Sequence, residues 1–290
     1  MKGLINVLLD GKLYSSKIKE ELKKQVDSLI FKYKIQPKMA IVLVGNDSAS
    51  KIYVSNKLKA AKEVGINAIL IKKEELISKE ELIELINELN HQNDIHGFIV
   101  QLPLPKHINE TEIINYIIPS KDIDGMGIIN RGKLLSGIPC LYPATPYGII
   151  QLLSYYQIDL TGKEAVVVGR SNIVGKPMGL MLLNQNATVT IAHSKTNQLK
   201  EVVKRADVVV VAVGKPKLIT ADMVKPGAIV IDVGTNRVNG KLCGDVDFEQ
   251  VSQIASFISP VPGGVGPLTV TSLLSNLVKT YENQMNGEKS

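Results

Sequence analysis

Residues 164–179 read EAVVVGRSNIVGKPMG, and the fold of this chain turns on how they are taken. Residues 165–168 are a short run of small and β-branched apolar side chains, the composition of a strand buried on both faces of a parallel sheet. Gly169 ends that run and opens a six-residue loop. Gly175, Lys176 and Pro177 then start a helix, with proline in the first turn, where a missing N–H costs little. A strand, a glycine turn and a helix N-terminus together form an anion site, because unpaired N–H groups and the positive end of the helix dipole face the same point. The glycines at 169, 175 and 179 do not keep the G-x-G-x-x-G spacing, since Arg170 and Ser171 stand where a second glycine would. On this stretch alone, a glycine turn that binds nothing is an equally good reading.

The next strand shifts the balance. Residues 187–192, ATVTIA, alternate in polarity and end at His193-Ser194-Lys195-Thr196. A dinucleotide site of this kind places an acidic residue about twenty positions after the first glycine, where it holds the ribose 2′-OH. Here Ser194 and Lys195 occupy that point, with Arg170 in the glycine loop. A hydroxyl and two cations suit a 2′-phosphate, so the expected cofactor is NADP rather than NAD. The alternative is a polar, solvated strand end.

Outward from this unit, the chain alternates strand and helix. Residues 39–44, 68–71 and 98–102 read as strands. Between them lie a helix from Asp47 or Ser48 to Val64, stopped by Gly65, and a helix opened by the capping box of Ser78 and Glu81. An earlier helix, capped by Ser15 or Ser16, carries Ile18, Leu22, Val26, Leu29 and Ile30 on one face. After the glycine unit, residues 207–213 (DVVVVAV) end at Gly214, and 228–233 (AIVIDV) end at Gly234-Thr235. Phe257-Ile258 lead into PVPGGVGP at 260–267, whose glycines let backbone approach a ligand closely. A last helix is expected from Thr269 or Thr271, followed by a frayed tail beyond Tyr281. Residues 131–146, rich in glycine and proline, read as a hinge. The expected class is α/β, with two domains built on largely parallel sheets, the second a Rossmann-like nucleotide domain. Ligands sit at the carboxyl ends of such strands, so the strand ends of both halves are candidates to face one cleft.

Composition removes several function classes. The 290 residues are 44% apolar, yet no apolar run approaches a membrane span. The start, MKGLINVLLDGKLYSS, has no signal-peptide core and is not an Arg-rich transit peptide, which points to the cytoplasm. Cys140 and Cys243 stand far apart and read as reduced and structural, and four scattered histidines make no metal cluster. The net charge of +6 suits an anionic small molecule. With the lysines dispersed, no tryptophan and only four phenylalanines, no platform for nucleic-acid bases emerges.

Few side chains stand out as chemical candidates. Ser50, Tyr53 and Lys57 fall at i, i+3 and i+7 of one helix, so a tyrosine could hold a lysine tuned for acid–base work. A solvated lysine is the commoner outcome on a helix that also carries Lys51, Lys59 and Lys62. Gln101, at the end of a buried strand, must find a partner, either a ligand or local backbone. Asp122 and Asp124 either accept from a ligand or close their own turn.

Five segments, in order, carry a resemblance: Ser50-x-x-Tyr53-x-x-x-Lys57, GFIVQLPLP at 97–105, KDIDG at 121–125, VVGRSNIVGKP at 167–177 and PVPGGVGPLT at 260–269. Together they resemble the bifunctional methylenetetrahydrofolate dehydrogenase/methenyltetrahydrofolate cyclohydrolase family over nearly the whole length. Ala144 and Leu268 depart from the family's common cysteine and methionine and read as packing changes. The resemblance implies a homodimer of two-domain subunits with the active site in an interdomain cleft. It implies a folate-binding catalytic domain at 1–141 plus 272–290 and an NADP-binding domain at 142–271. It implies NADP-linked oxidation of 5,10-methylenetetrahydrofolate, then hydrolysis to 10-formyltetrahydrofolate, in one-carbon metabolism. Lys57 would move protons, Tyr53 position it, Gln101 tune it, and Asp124 accept two hydrogen bonds from the pterin. Folate, with or without a polyglutamate tail, would also meet Pro262, Gly263 and Gly264. Cofactor contacts are expected at Gly169, Arg170, Ser171, Ile173, Val174, Gly175, His193, Ser194, Thr196, Gly214, Gly234 and Thr235. A dehydrogenase lacking the hydrolytic step and a non-catalytic folate- or nucleotide-binding protein are the alternatives.

Overall fold

A computed structural model describes residues 7–287. The first six and last three residues, where the N-terminal reading begins and the tail ends, lie outside the described residues. In chain order the elements are β1 (Val7–Leu8), α1 (Gly11–Tyr33), β2 (Lys38–Val44), α2 (Ser48–Glu63), β3 (Asn67–Lys73), α3 (Lys79–His91), β4 (Gly97–Val100), α4 (Glu110–Ile114), α5 (Ile128–Leu135) and α6 (Ala144–Tyr155). They continue with β5 (Glu164–Val168), α7 (Gly175–Leu183), β6 (Thr188–Ala192), α8 (Leu199–Lys204), β7 (Val208–Val211), β8 (Ile229–Asp232), β9 (Asn236–Val238), β10 (Lys241–Cys243), α9 (Phe248–Val251), β11 (Phe257–Ile258) and α10 (Val265–Met285). The chain forms two compact units, divided at Ser15/Ser16, Ala144/Thr145 and Thr269/Val270.

The unit of residues 16–144 and 270–287 carries a three-stranded parallel sheet in the order β3-β2-β4. Its central strand reads KMAIVLV without alternation, and residues 39–44 are all buried, as a strand covered on both faces requires. Leu82, Ile86 and Leu89 of α3 fall on one helical face and fill the core against Ala40, Val42, Phe98 and Val100. The capping box forms in both halves: Ser78 Oγ accepts the Glu81 N–H and Glu81 accepts the Ser78 N–H.

The other unit holds a six-stranded parallel sheet in the order β1-β11-β8-β7-β5-β6. From β5 the chain goes to β6 on one side, then returns to β7 on the other. The order reverses at β5, so the carboxyl ends of β5, β6 and β7 open the crevice where such sheets bind ligands. Val208–Val211 is wholly excluded from solvent.

The structure differs from expectation at several element ends, each for a local reason. Helix α1 starts at Gly11 rather than after Ser15, because Asp10 Oδ1 accepts the Leu13 N–H at 2.8 Å. Residues 7–8 were expected with the first unit, but β1 pairs in parallel with β11 and so joins the nucleotide-type sheet. Helix α5, at residues 128–135, overlaps the start of the expected hinge at 131–146, and the boundary between units, Ala144/Thr145, falls inside that stretch, just after the expected 141/142. Helix α10 starts at Val265, not Thr269 or Thr271, with Pro267 in its first turn, where no helical bond is lost. It runs past Tyr281 to Met285, held by Tyr33 Oη donating to Asn286 Oδ1 and Gln284 Nε2 donating to the His96 carbonyl. Among the described residues, no helix is long and apolar enough to cross a membrane and no group of side chains could hold a metal ion.

Candidate functional site

Each unit presents one cluster of chemical interest. In the first, Asp47 caps α2 by accepting the Ser50 N–H at 2.7 Å. That start turns Ser50, Val54, Lys57, Ala60 and Ala61 inward. Lys57 is therefore buried, against the ordinary fate of a helical lysine. Its Nζ donates to Gln101 Oε1 at 3.0 Å. Gln101 stands one residue beyond β4, with its N–H on the Val42 carbonyl, and its Nε2 donates to the Leu102 carbonyl at 2.6 Å. That second bond turns the amide so that its oxygen faces the lysine. Burial pulls the Lys57 pKa below the ordinary lysine value, while the charge of Asp124 pushes it the other way. Burial likewise raises Asp124, and Lys57 opposes that rise.

The two turn aspartates divide their roles. Asp122 is buried and closes its own turn: its carboxylate accepts from the N–H groups of Met126 and Gly127 and from Asn130 Nδ2. Asp124 has no such bond to its carboxylate among the described residues and faces the field of Lys57. Its loop is braced by Asn276 of α10, whose Nδ2 donates to the carbonyls of Ile123 and Tyr142, both at 2.8 Å. Tyr53 departs from expectation. It is 43% exposed and makes no hydrogen bond to Lys57 among the described residues; Gln101 is the partner instead. The orientation of a side chain at i−4 is set by what packs around the helix, which spacing alone does not carry.

In the second unit the strand ends enclose a cavity of about 370 Å³ lined by Val168, Gly169, Arg170, His193, Ser194, Thr196, Leu199, Ala212, Val213, Lys215 and Leu218. Each of the three glycines permits a close approach that a side chain would block. Gly169 has φ +134°, and a Cβ there would lie 2.3 Å from the Ala212 carbonyl oxygen. One on Gly175 would lie 2.2 Å from the Gly169 oxygen, and one on Gly179 would press on Ile191 of β6. Gly169, Arg170, His193, Ser194 and Thr196 thus line the cavity as the sequence suggests. The Thr196 hydroxyl accepts the His193 N–H, which closes the turn after β6.

Other expected contacts lie elsewhere. Ser171, Ile173, Val174, Gly175, Gly214, Gly234 and Thr235 are absent from the cavity lining. Ser171 Oγ instead accepts from the N–H groups of Val174 and Gly175, so two amides expected to face an anion are taken by a side chain of their own loop. The second cation of the lining is Lys215, not Lys195. Lys215, Leu199 and Leu218 escaped the sequence reading. The signal available was Gly214-Lys215-Pro216 at the end of β7, the third strand of the switch point. Gly263 and Gly264 approach the chain itself: the Gly263 carbonyl accepts the Lys12 N–H, and a Cβ on Gly11 would overlap the Gly264 oxygen.

A glycine turn at a topological switch point, opening on a cavity with cations, hydroxyls and apolar walls, defines a dinucleotide-binding α/β protein of the dehydrogenase class. Comparison with known proteins gives the particular kind. Residues 9–124 match the tetrahydrofolate dehydrogenase/cyclohydrolase catalytic domain, and residues 143–285 match the tetrahydrofolate dehydrogenase/cyclohydrolase NAD(P)-binding domain. The chain is 54% identical to the bifunctional protein FolD of Acetivibrio thermocellus, covering 96% of this chain and 97% of that one. It is similar to the bifunctional FolD methylenetetrahydrofolate dehydrogenase/cyclohydrolase of Campylobacter jejuni, with a TM-score of 0.94 and 50% identity over 96% of this chain and 99% of the other. It is also similar to the Trypanosoma brucei dehydrogenase–cyclohydrolase solved with NADP cofactor and an inhibitor, with a TM-score of 0.92 and 35% identity over 96% and 98% of the two chains. The chain belongs to the tetrahydrofolate dehydrogenase/cyclohydrolase family.

Proposed function

We propose that this chain is a bifunctional enzyme that oxidises 5,10-methylenetetrahydrofolate to 5,10-methenyltetrahydrofolate with NADP⁺ and hydrolyses that product to 10-formyltetrahydrofolate. The observation that carries the reading is a buried lysine paired with a glutamine amide, in a chain about half identical to bifunctional relatives over nearly its full length. The cavity of the second unit fits the cofactor: Val168, Leu199 and Leu218 offer apolar walls, and Arg170, Ser194 and Lys215 suit a 2′-phosphate. Among the described residues, no carboxylate lines it to repel one. When bound, NADP⁺ supplies the hydride acceptor. The folate nitrogens supply the electron push for that step, so the protein contributes alignment rather than a base.

The hydrolytic step moves protons, and Lys57 is suited to it. A lysine whose pKa is lowered by burial holds a larger neutral fraction near pH 7, and a neutral amine has a lone pair to take a proton from attacking water. Gln101 Oε1 accepts one N–H of Lys57, which confines that lone pair to the two remaining tetrahedral positions on Nζ. Asp124, with its carboxylate unclaimed by its own turn, offers two acceptor oxygens to the amide and amine edge of the pterin. Tyr53, on the open side of α2, serves folate contact in this reading rather than anchoring Lys57. Pro262, Gly263 and Gly264 remain proposed folate contacts. We extend the proposal to a homodimer acting in the cytoplasm on folate with a polyglutamate tail, which the +6 charge favours.

Ultraviolet spectroscopy on the purified protein with 5,10-methylenetetrahydrofolate and NADP⁺ or NAD⁺ tests the proposal. Reduced cofactor without accumulated methenyl product is expected, with NADP⁺ preferred, after correction for spontaneous hydrolysis. Methenyl product that accumulates would leave a dehydrogenase alone. No reduction with either cofactor would overturn the proposal.

A further inference from the structure

One wall of the cavity is held from behind by a carboxylate outside its lining. Asp245 is wholly excluded from solvent. Its Oδ2 accepts the N–H groups of Val213 at 2.7 Å and Gly214 at 2.9 Å. Its Oδ1 accepts the Lys215 N–H at 2.8 Å and Asn236 Nδ2 at 2.9 Å. Three consecutive amides of one turn thus converge on a single carboxylate, and among the described residues no cation pairs with it. Val213 and Lys215 line the cavity; Asp245 does not.

Asp245 is itself fixed. Its N–H donates to Asp232 Oδ1 at 2.9 Å, the neighbouring Val246 N–H donates to Asp232 Oδ2 at 2.9 Å, and the Asp232 N–H donates to Ser259 Oγ at 2.8 Å. Two glycines are shaped to this contact. A Cβ on Gly234 would lie 2.3 Å from the Asp245 carboxyl, and one on Gly244 would fall 1.7 Å from Asp232 Oδ2. The segments DVGTN at 232–236 and CGDVD at 243–247 therefore interlock behind the end of β7. Gly214 has φ +65° and open space beside it, so its backbone conformation, not crowding, calls for glycine there. A turn in that conformation, with all three amides on one side, holds its shape only while those amides have an acceptor.

We propose that Asp245 is a positioning residue for the cofactor: by clasping the turn 213–215 it sets Val213 and Lys215 as the wall against which the dinucleotide is held. The inference rests on the reading of this cavity as the NADP site. It makes Asp245 a determinant of cofactor affinity and leaves the proton transfers at Lys57 to other residues.

The test compares wild type with Asp245→Ala and Asp245→Asn, the second keeping the volume and one acceptor oxygen. NADP⁺ affinity is measured by calorimetric titration, and cyclohydrolase turnover on supplied methenyltetrahydrofolate, a reaction that consumes no NADP. Asp245→Ala is expected to weaken NADP⁺ binding roughly tenfold or more, about 1.4 kcal/mol, with a smaller loss in Asp245→Asn. In both variants that loss should exceed any loss of cyclohydrolase turnover or of KM for folate. Unchanged NADP⁺ affinity in the variants would overturn the inference alone. Parallel loss of affinity, turnover and melting temperature in both would make Asp245 a support of the fold and also overturn it. Wild-type protein that bound no NADP⁺ would remove the reading of the cavity and the inference with it.

Discussion

At the scale of the residue, the proposed chemistry depends on a lysine that spacing alone would leave in solvent. Burial lowers the Lys57 pKa and Asp124 partly restores it, so the two groups set the protonation of the site between them. Lys57→Met is expected to abolish cyclohydrolase turnover while the dehydrogenase retains a measurable fraction; equal loss of both in folded protein would make Lys57 a folate-binding group. The pH profile carries a second signature. If neutral Lys57 takes a proton, the cyclohydrolase kcat rises with pH along a limb set by that lysine. Asp124→Asn removes the charge that raises the Lys57 pKa, so the limb should move to lower pH; a limb that stays put would separate Asp124 from the lysine. At the cofactor cavity, Ser194→Asp places a carboxylate beside the expected 2′-phosphate. The ratio of kcat/KM for NADP⁺ over NAD⁺ should fall by roughly tenfold or more, as expected for like charges in close approach. An unchanged ratio would place the phosphate elsewhere in the cavity.

At the scale of the element, the end of β8 carries a buried carboxyl. Burial pushes Asp232 up to about 6, against the pull of the N–H bonds it accepts from Asp245, Val246 and Gly234. An unfolded chain releases that proton near pH 3.9. Between about pH 4 and 6 the folded protein therefore binds a proton that the unfolded chain has lost, and this carboxyl's contribution to stability declines as pH rises through that window. Asp232→Asn does not titrate. Urea unfolding of the two proteins should show wild type losing on the order of 3 kcal/mol relative to the variant between pH 4 and 7; a constant difference across that range would contradict the shifted carboxyl. The same element shows how sequence and structure share the work. The run AIVIDV announces a buried strand by composition, and β8 forms at Ile229–Asp232. That its final aspartate is buried, and spent on amides from a distant segment, follows from the pairing of loops and leaves no local mark.

At the scale of the whole chain, each unit has its own apolar core; Lys57, Gln101 and Asp124 lie in one unit, and the cavity proposed for the cofactor lies in the other. NADP⁺ binding to the folded state alone stabilises it by RT ln(1 + [L]/Kd), about 2.7 kcal/mol at a hundredfold excess over Kd. Thermal melting with and without NADP⁺ should show that shift, and Ser194→Asp should reduce it. A shift of the same size with NAD⁺ would argue against the 2′-phosphate contact. Whether the units melt together or in sequence is read from the same traces.

The sequence by itself determined the α/β class, most strand positions, the capping box of α3 and the glycine unit at the switch point. All of these are written in periodicity, end caps and breakers that act over a few residues. Its five motifs also pointed to the family. Tertiary structure alone decided that Lys57 is buried, that its Nζ bonds Gln101 rather than Tyr53, that Asp122 closes the turn, and that Lys215 rather than Lys195 lines the cavity. It also decided that β1 joins the sheet of β11 and that Asp245 clasps the turn after β7. The reason is one of range: local propensity is fixed by neighbours in the chain, whereas burial, charge and hydrogen-bond partners are fixed by neighbours in space, which the fold brings together from far apart in sequence.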